Sequence, residues 1–283
     1  MSSIKIRKSS FIRGNKSFKI LMFGDLHYSK NYSIKKLKKL KKVVACSNPD
    51  YLIIAGDLID STNFIYSHSS KEILLDWIQE LAQICIVLIV LGNHDICYYQ
   101  SKLLSDFNSA FWKEINKIKN VYVSHYNKFY QDDSVNIYLH EEGLDYYKNS
   151  IENKDILIAN LKKANFNISK DKVNIMVIHS PILLTDSSVS SLIGDFDFIF
   201  SGHMHNGIVP GFIDKFIKNN KGLIAPNKKL FPDNARGIKK IGNALLIING
   251  GITKLSYVSG ISKFNFLFSM DIDEINIVKR KKL

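Results

Sequence analysis

Apolar runs of strand length recur along the chain, and five of them break into a turn that carries Asp, Asn or His. Phe18–Phe23 (FKILMF) runs into Gly24-Asp25-Leu26-His27, and Tyr51–Ala55 (YLIIA) into Gly56-Asp57-Leu58-Ile59-Asp60. Cys85–Leu91 runs into Gly92-Asn93-His94-Asp95, Val173–Ile178 into His179-Ser180-Pro181, and Phe196–Phe200 into Ser201-Gly202-His203-Met204-His205. Runs this short and this apolar are expected to be strands covered on both faces. Helical periodicity lies between them. Ser33–Cys46 sets Ile34, Leu37, Leu40 and Val44 on one face, with lysines covering the rest, and Lys71–Gln83, Gln100–Ile118 and Ile151–Ala164 also read as helices. Alternation of this kind builds layered α/β structure, and the carboxyl ends of its strands form one ligand-binding edge. The five turns are therefore expected to converge.

The C-terminal third changes character. Ala244–Ile248 and Asn265–Met270 read as strands with Gly- and Asn-rich turns and no interposed helix. The expectation is an α/β fold in which a two-sheet β-sandwich is flanked by helices. No Pro/Gly linker divides the chain, so residues 1–283 are expected to form a single domain.

Composition narrows the function classes. The chain has 283 residues, 46% hydrophobic and 23% charged, which excludes disordered, collagenous and coiled-coil classes. Lys+Arg of 39 against Asp+Glu of 26 leaves a formal charge of +13. Such a surface favours anionic partners, namely phosphorylated substrates, nucleic acid or acidic lipid; the competing reading is a lysine bias that serves solvation alone. Cys46, Cys85 and Cys97 are too few and too odd in number for a disulfide framework, which fits a reducing compartment. The segment Met1–Lys19 is basic and polar, without the apolar stretch of a signal peptide, and the longest wholly apolar run, Ile84–Leu91, is too short to span a bilayer. A cytoplasmic protein is expected, with peripheral membrane contact left open.

The five turns offer carboxylate oxygen, amide oxygen and imidazole nitrogen together. That mixture suits borderline divalent metals such as zinc, manganese, iron and cobalt. It holds no thiolate, unlike a structural zinc knot, and too many histidines for a calcium or magnesium cage. More donors are present than one tetrahedral ion uses. Five of the eight histidines lie in these turns, whereas His68, His125 and His140 are read as structural.

In order, the motifs are Asp25-x-His27, Gly56-Asp57-x-x-Asp60, Gly92-Asn93-His94-Asp95, His179 and Gly202-His203-x-His205. This series resembles the calcineurin-like metallophosphoesterase superfamily, across residues 25 to 205. The resemblance implies the four-layer αββα fold of that family, two divalent ions (manganese, iron or zinc), and hydrolysis of phosphate esters by a hydroxide held between the ions. It implies that Asp25, His27 and His205 hold one ion, that Asn93, His179 and His203 hold the other, and that Asp57 bridges both. It makes His94 the general acid beside the leaving group, with Asp95 to orient or charge-stabilise its ring, and gives Asp60 the tethering of a ligand histidine. Asp60 and Asp95 are equally readable as turn or N-cap residues. Cys97 is read as a core or rim thiol.

A finer likeness follows Gly202. Asn206-Gly207-Ile208, Leu230-Phe231-Pro232, Ala235-Arg236-Gly237 and Asn249-Gly250-Gly251 resemble a bacterial subgroup of membrane-associated phosphodiesterases and UDP-diacylglucosamine pyrophosphatases, although Met204 and Asn206 depart from its commoner residues. In the lysine-rich segment 206–240, Arg236 is the candidate phosphate contact, because a guanidinium grips phosphate with two bonds. A solvated excursion is the alternative reading of that segment. Three functions stay open: a phosphodiesterase or related phosphohydrolase, a nuclease of the same chemistry, and a non-catalytic metal-binding scaffold.

Overall fold

The computed structural model describes residues 3–29, 32–60, 68–96, 110–150, 152–218, 220–255 and 262–280. Two six-stranded mixed sheets pack face to face. The first runs β1 (Ile4–Ile12), β12 (Met270–Val278), β2 (Phe18–Phe23), β3 (Tyr51–Ala55), β4 (Ile86–Val90), β5 (Val121–Val123). The second runs β10 (Gly237–Ile241), β11 (Ala244–Ile248), β9 (Phe198–Ser201), β8 (Val173–Ile178), β7 (Val135–His140), β6 (Phe129–Gln131). Strands β2 to β5 are mutually parallel, as are β7, β8, β9 and β11. Their carboxyl ends carry all five motif turns.

Strand alternation explains the layers. Successive side chains point to opposite faces. Ile20 and Met22 of β2 therefore enter the core between the sheets, with Ile53, Leu88, Ile175, Val177 and Phe200. Leu21 and Phe23 face outward, where α1 (Ile34–Ser47) and α2 (His68–Ala82) cover them with Leu37, Leu40, Val44, Trp77 and Ile78. On the far side α3 (Lys154–Ala164) and α4 (Ser187–Ile193) supply Leu157, Leu161, Val189 and Ile193 against Met176, Ile178 and Leu246. The helix ends follow local rules. Asn48 closes α1 in the left-handed conformation, and the Asn153 side chain accepts from the N–H groups of Asp155 and Ile156 at the start of α3.

Some sequence expectations are corrected. Asn265–Met270 is not a strand: Ser262–Leu267 forms a 3-10 turn and the strand is Met270–Val278. Its Asp271, Asp273 and Glu274 are buried, and these charges mask the apolar pattern. Arg7 grips Asp273 with two bonds, Nε to Oδ1 at 2.7 Å and Nη2 to Oδ2 at 2.9 Å. The polar segment Met1–Lys19 contains an edge strand, β1, parallel to β12. The sequence reading places no element at β5, β6, β7, β10 or α4. Of the expected helix Gln100–Ile118, residues 110–115 are helical; residues 100–109 and Cys97 lie outside the described residues.

Candidate metal centre

The first two turns continue the β2–β3 ladder beyond its ends. The N–H groups of Asp25, His27 and Tyr28 donate to the carbonyls of Gly56, Asp57 and Leu58, each at 2.9 Å, and Asp60 N–H returns to Tyr28 O at 2.8 Å. The backbone is bent hard where the candidate ligands sit. Asp25, His27, Asp57, His203 and His205 all have positive φ, between 47° and 67°. Non-glycine residues seldom adopt that conformation, and its clustering marks a site held in place by its surroundings. Two glycines permit the close approach. A Cβ on Gly56 would fall 2.1 Å from His179 Nδ1, and one on Gly92 would fall 2.4 Å from Asp57 Oδ1.

Two buried groups of donor atoms result, each with all its atoms within 4.8 Å of one another: Asp25, His27, Asp57 and His205, and Asp57, His179 and His203. Asp57 belongs to both. Asn93 joins the second group, its Oδ1 lying 3.1 Å from His179 Nε2.

The chain sets which nitrogen of each ring faces inward. A carbonyl only accepts, so His179 Nδ1 donates to Ala55 O at 2.8 Å and His205 Nδ1 donates to Thr253 O at 2.6 Å. Each ring then turns Nε2 to the centre. His203 is reversed: its Nδ1 lies 3.1 Å from His179 Nε2, and its Nε2 lies 3.7 Å from Glu152 Oε1. Asp57 Oδ2 is 3.3 Å from His179 Nε2 and 3.7 Å from His27 Nε2. Imidazole nitrogen, amide oxygen and carboxylate oxygen thus converge on one place, a donor set that fits divalent metal.

The electrostatics agree. Burial holds His27, His203 and His205 below the ordinary histidine range, His205 at about 3, which keeps them in the neutral, ligating form. Burial alone would raise Asp57, yet the facing His179 and His94 pull it well below the usual carboxylate range. Burial would likewise lower His179, but Asp57, Asp25 and Glu142 push it up to about 10. Burial raises Asp25 to about 7, against the pull of His179, with the neighbouring Asp57 carboxylate adding to the rise.

Asp95 takes a position different from the expected contact with the His94 ring. It is buried, and its carboxylate accepts from the N–H groups of Leu58 (3.2 Å), Ile59 (3.0 Å) and Gly92 (2.9 Å). It thus ties the Gly92–Asp95 turn to the Asp57 turn. His94 N–H in turn donates to Asp57 Oδ1 at 2.8 Å, and the His94 ring stands edge-on to His27 with centroids 4.7 Å apart. Arg236 also departs from its reading. Its guanidinium is buried, ion-paired to Asp214 and within 3.4 Å of Asn206 Oδ1, so it is not presented as an open phosphate grip.

Sequence reasoning missed several supports of the centre. Glu142 is fully buried and accepts from Tyr147 Oη at 2.6 Å and from Ser180 N–H at 3.0 Å, beside His179. Lys254 is buried with its ammonium on the carbonyls of Gly250 and Gly251 and on Asp271 Oδ2 at 3.0 Å. Both lie where the sequence shows no regular period. The only signal was charge in a stretch destined for burial.

The comparisons with known proteins bear on this centre. The chain is 26% identical over 214 residues to the metallophosphoesterase Cj0846 of Campylobacter jejuni, covering 74% of this chain and 49% of that protein. It is 33% identical over 90 residues to the metallophosphoesterase YkuE of Bacillus subtilis, covering 31% of this chain and 30% of that one. The chain thus matches half or less of the length of these curated relatives. Among solved structures, a dimetal phosphatase from Danio rerio is similar at 13% identity and a TM-score of 0.42, over 84% of this chain and 88% of that one. The family model described as calcineurin-like phosphoesterase matches residues 18–207, which is more than half of the sequence and includes all five motif turns. The chain belongs to the calcineurin-like phosphoesterase family.

Proposed function

We propose that this chain, acting as one domain, is a dinuclear metal-dependent phosphoesterase that hydrolyses phosphate esters, with phosphodiesters as the preferred class. The observation that carries the reading is the pair of buried donor groups sharing Asp57. Asp25, His27, Asp57 and His205 would hold one divalent ion, and Asp57, Asn93, His179 and His203 the other, with manganese, iron or zinc suited to the donors. Bound there, such ions supply an activated water and neutralise charge on the phosphoryl group. The remaining work falls to the chain. Ala55 O and Thr253 O orient the His179 and His205 rings. Asp95 holds the turn that presents His94, and the half-buried His94 ring delivers a proton to the leaving oxygen. Asp60, whose N–H binds Tyr28 O, steadies the turn carrying His27.

The test is elemental analysis together with cleavage of an aryl phosphodiester in added Mn²⁺. Two ions per chain and activity lost on chelation are expected. Asp57→Asn should reduce the metal content and cut the rate by at least about a thousandfold, since removing a shared charge at about 4 Å costs about 4 kcal/mol at an effective dielectric constant near 20. Undiminished cleavage by that variant overturns the reading. Nucleic acid is the second substrate class, favoured by the charge of +13. A steep loss of oligonucleotide cleavage with salt, absent for the aryl ester, would identify it. Among the described residues no helix is long and apolar enough to cross a membrane.

A further inference from the structure

The outer edge of the second sheet holds a cleft of about 540 Å³ that contains none of the metal-centre residues. That volume is in the range of small-ligand sites. Its floor comes from β7, where Tyr138 and His140, two positions apart, share a face. Phe129 of β6 lies opposite Tyr138 in the ladder, and the two rings are 4.6 Å apart. Phe166, just beyond α3, packs edge-on against Tyr138 at 5.2 Å. The result is an aromatic wall, of which Phe129 is 38% exposed.

Two features ask for a ligand. His140 is 9% exposed, and its Nε2 has no hydrogen-bond partner among the described residues. A buried polar atom left unmatched destabilises the fold. A histidine kept for structure alone would have its partner within the fold. Burial, reinforced by Lys128, holds this ring near pKa 4, so it is neutral at physiological pH and has one nitrogen to donate and one to accept. The second feature is charge. Lys128 and Lys163 line the cleft. The acid there, Glu141, is engaged, accepting from Ser124 Oγ at 2.9 Å and facing His125 Nδ1 at 3.2 Å.

We propose that this cleft binds a small planar anion: a ring that packs on the Phe129–Tyr138 wall and hydrogen-bonds to His140 Nε2, carrying an acidic group drawn to Lys128 and Lys163. A nucleoside monophosphate and an aromatic carboxylate share that chemistry. Calorimetric titration separates them, using adenosine 5′-monophosphate, indole-3-carboxylate and inorganic phosphate as probes, in chelator so that the metal centre does not compete. One of the two aromatic anions is expected to bind at least tenfold tighter than phosphate, and the identity of the tighter one names the source. His140→Phe fills the gap and removes the nitrogen, and should weaken binding at least tenfold. Lys163→Glu, on the exposed side of α3, should do the same without touching the core. Asp57→Ala should leave this binding unchanged, which separates it from any anion at the metal centre. In the spectrum of 15N-labelled protein the His140 Nε2 resonance should shift on saturation. Equal binding of phosphate and the aromatic anions, no binding of either aromatic probe at millimolar concentration, or affinity indifferent to both cleft substitutions overturns the proposal.

Discussion

Gly92→Ala is the sharpest test of how closely the centre is packed. A Cβ at position 92 would stand 2.4 Å from Asp57 Oδ1, 2.6 Å from Asp57 N and 2.8 Å from His179 Nε2. Ordinary contact begins at 3.4 Å, so the nearest gap is short by about 1 Å. None of these atoms is the free end of a flexible chain. Asp57 N is backbone, Asp57 Oδ1 holds His94 N–H at 2.8 Å, and His179 is fixed through Ala55 O. The strain must move the turn or the carboxylate. Overpacking of this kind costs about 1–3 kcal/mol, which lowers the melting temperature by roughly 2–4 °C per kcal/mol in a chain of this size. A displacement of about 1 Å also exceeds the roughly 0.5 Å tolerance of a preorganised site, so Mn²⁺ affinity should fall at least tenfold. Gly143→Ala is the matched control, because a Cβ there meets nothing within 4 Å. Calorimetric Mn²⁺ titration and thermal melts of the two variants measure both quantities. If Gly92→Ala binds metal and melts like Gly143→Ala, the steric argument and the close approach of the turns are both refuted.

Two further outcomes follow. His94→Asn should retain its metal while cleaving alkyl phosphodiesters about 10²–10⁴ times more slowly, with a smaller deficit for nitrophenyl esters, whose leaving group needs no proton; an equal deficit for both removes His94 from the acid role. Asp132 gives a pH signature: burial would raise its carboxyl, but the Tyr51 hydroxyl and the N–H groups of Ser134 and Val135 hold it below the usual range. Because its folded pKa is depressed, its contribution is present above the unfolded value and is lost as pH falls through the folded one. Urea midpoints should therefore separate wild type from Asp132→Asn at pH 6 and converge towards pH 2; a constant gap contradicts this.

The legible part of this molecule was its local periodicity. Leu21 and Phe23 alternate with Ile20 and Met22, and the α1 stripe of Leu37, Leu40 and Val44 recurs at helical spacing; both patterns arise from neighbours in the chain. The motif turns were legible for the same reason, since each directly follows an apolar strand. Strand β12 was not, because the cations that match its acidic residues come from other parts of the chain, Arg7 for Asp273 and Lys254 for Asp271. The same distance hid Glu142 under His179 and led to the reading of Asp95 as a partner for His94, when its oxygens close on Leu58 and Ile59. Order along the chain thus determined which side chains reach the sheet edge. Folding decided which nitrogen of each ring faces inward and which backbone groups the Asp95 carboxylate closes on, because those choices depend on hydrogen bonds that exist only once the turns have met.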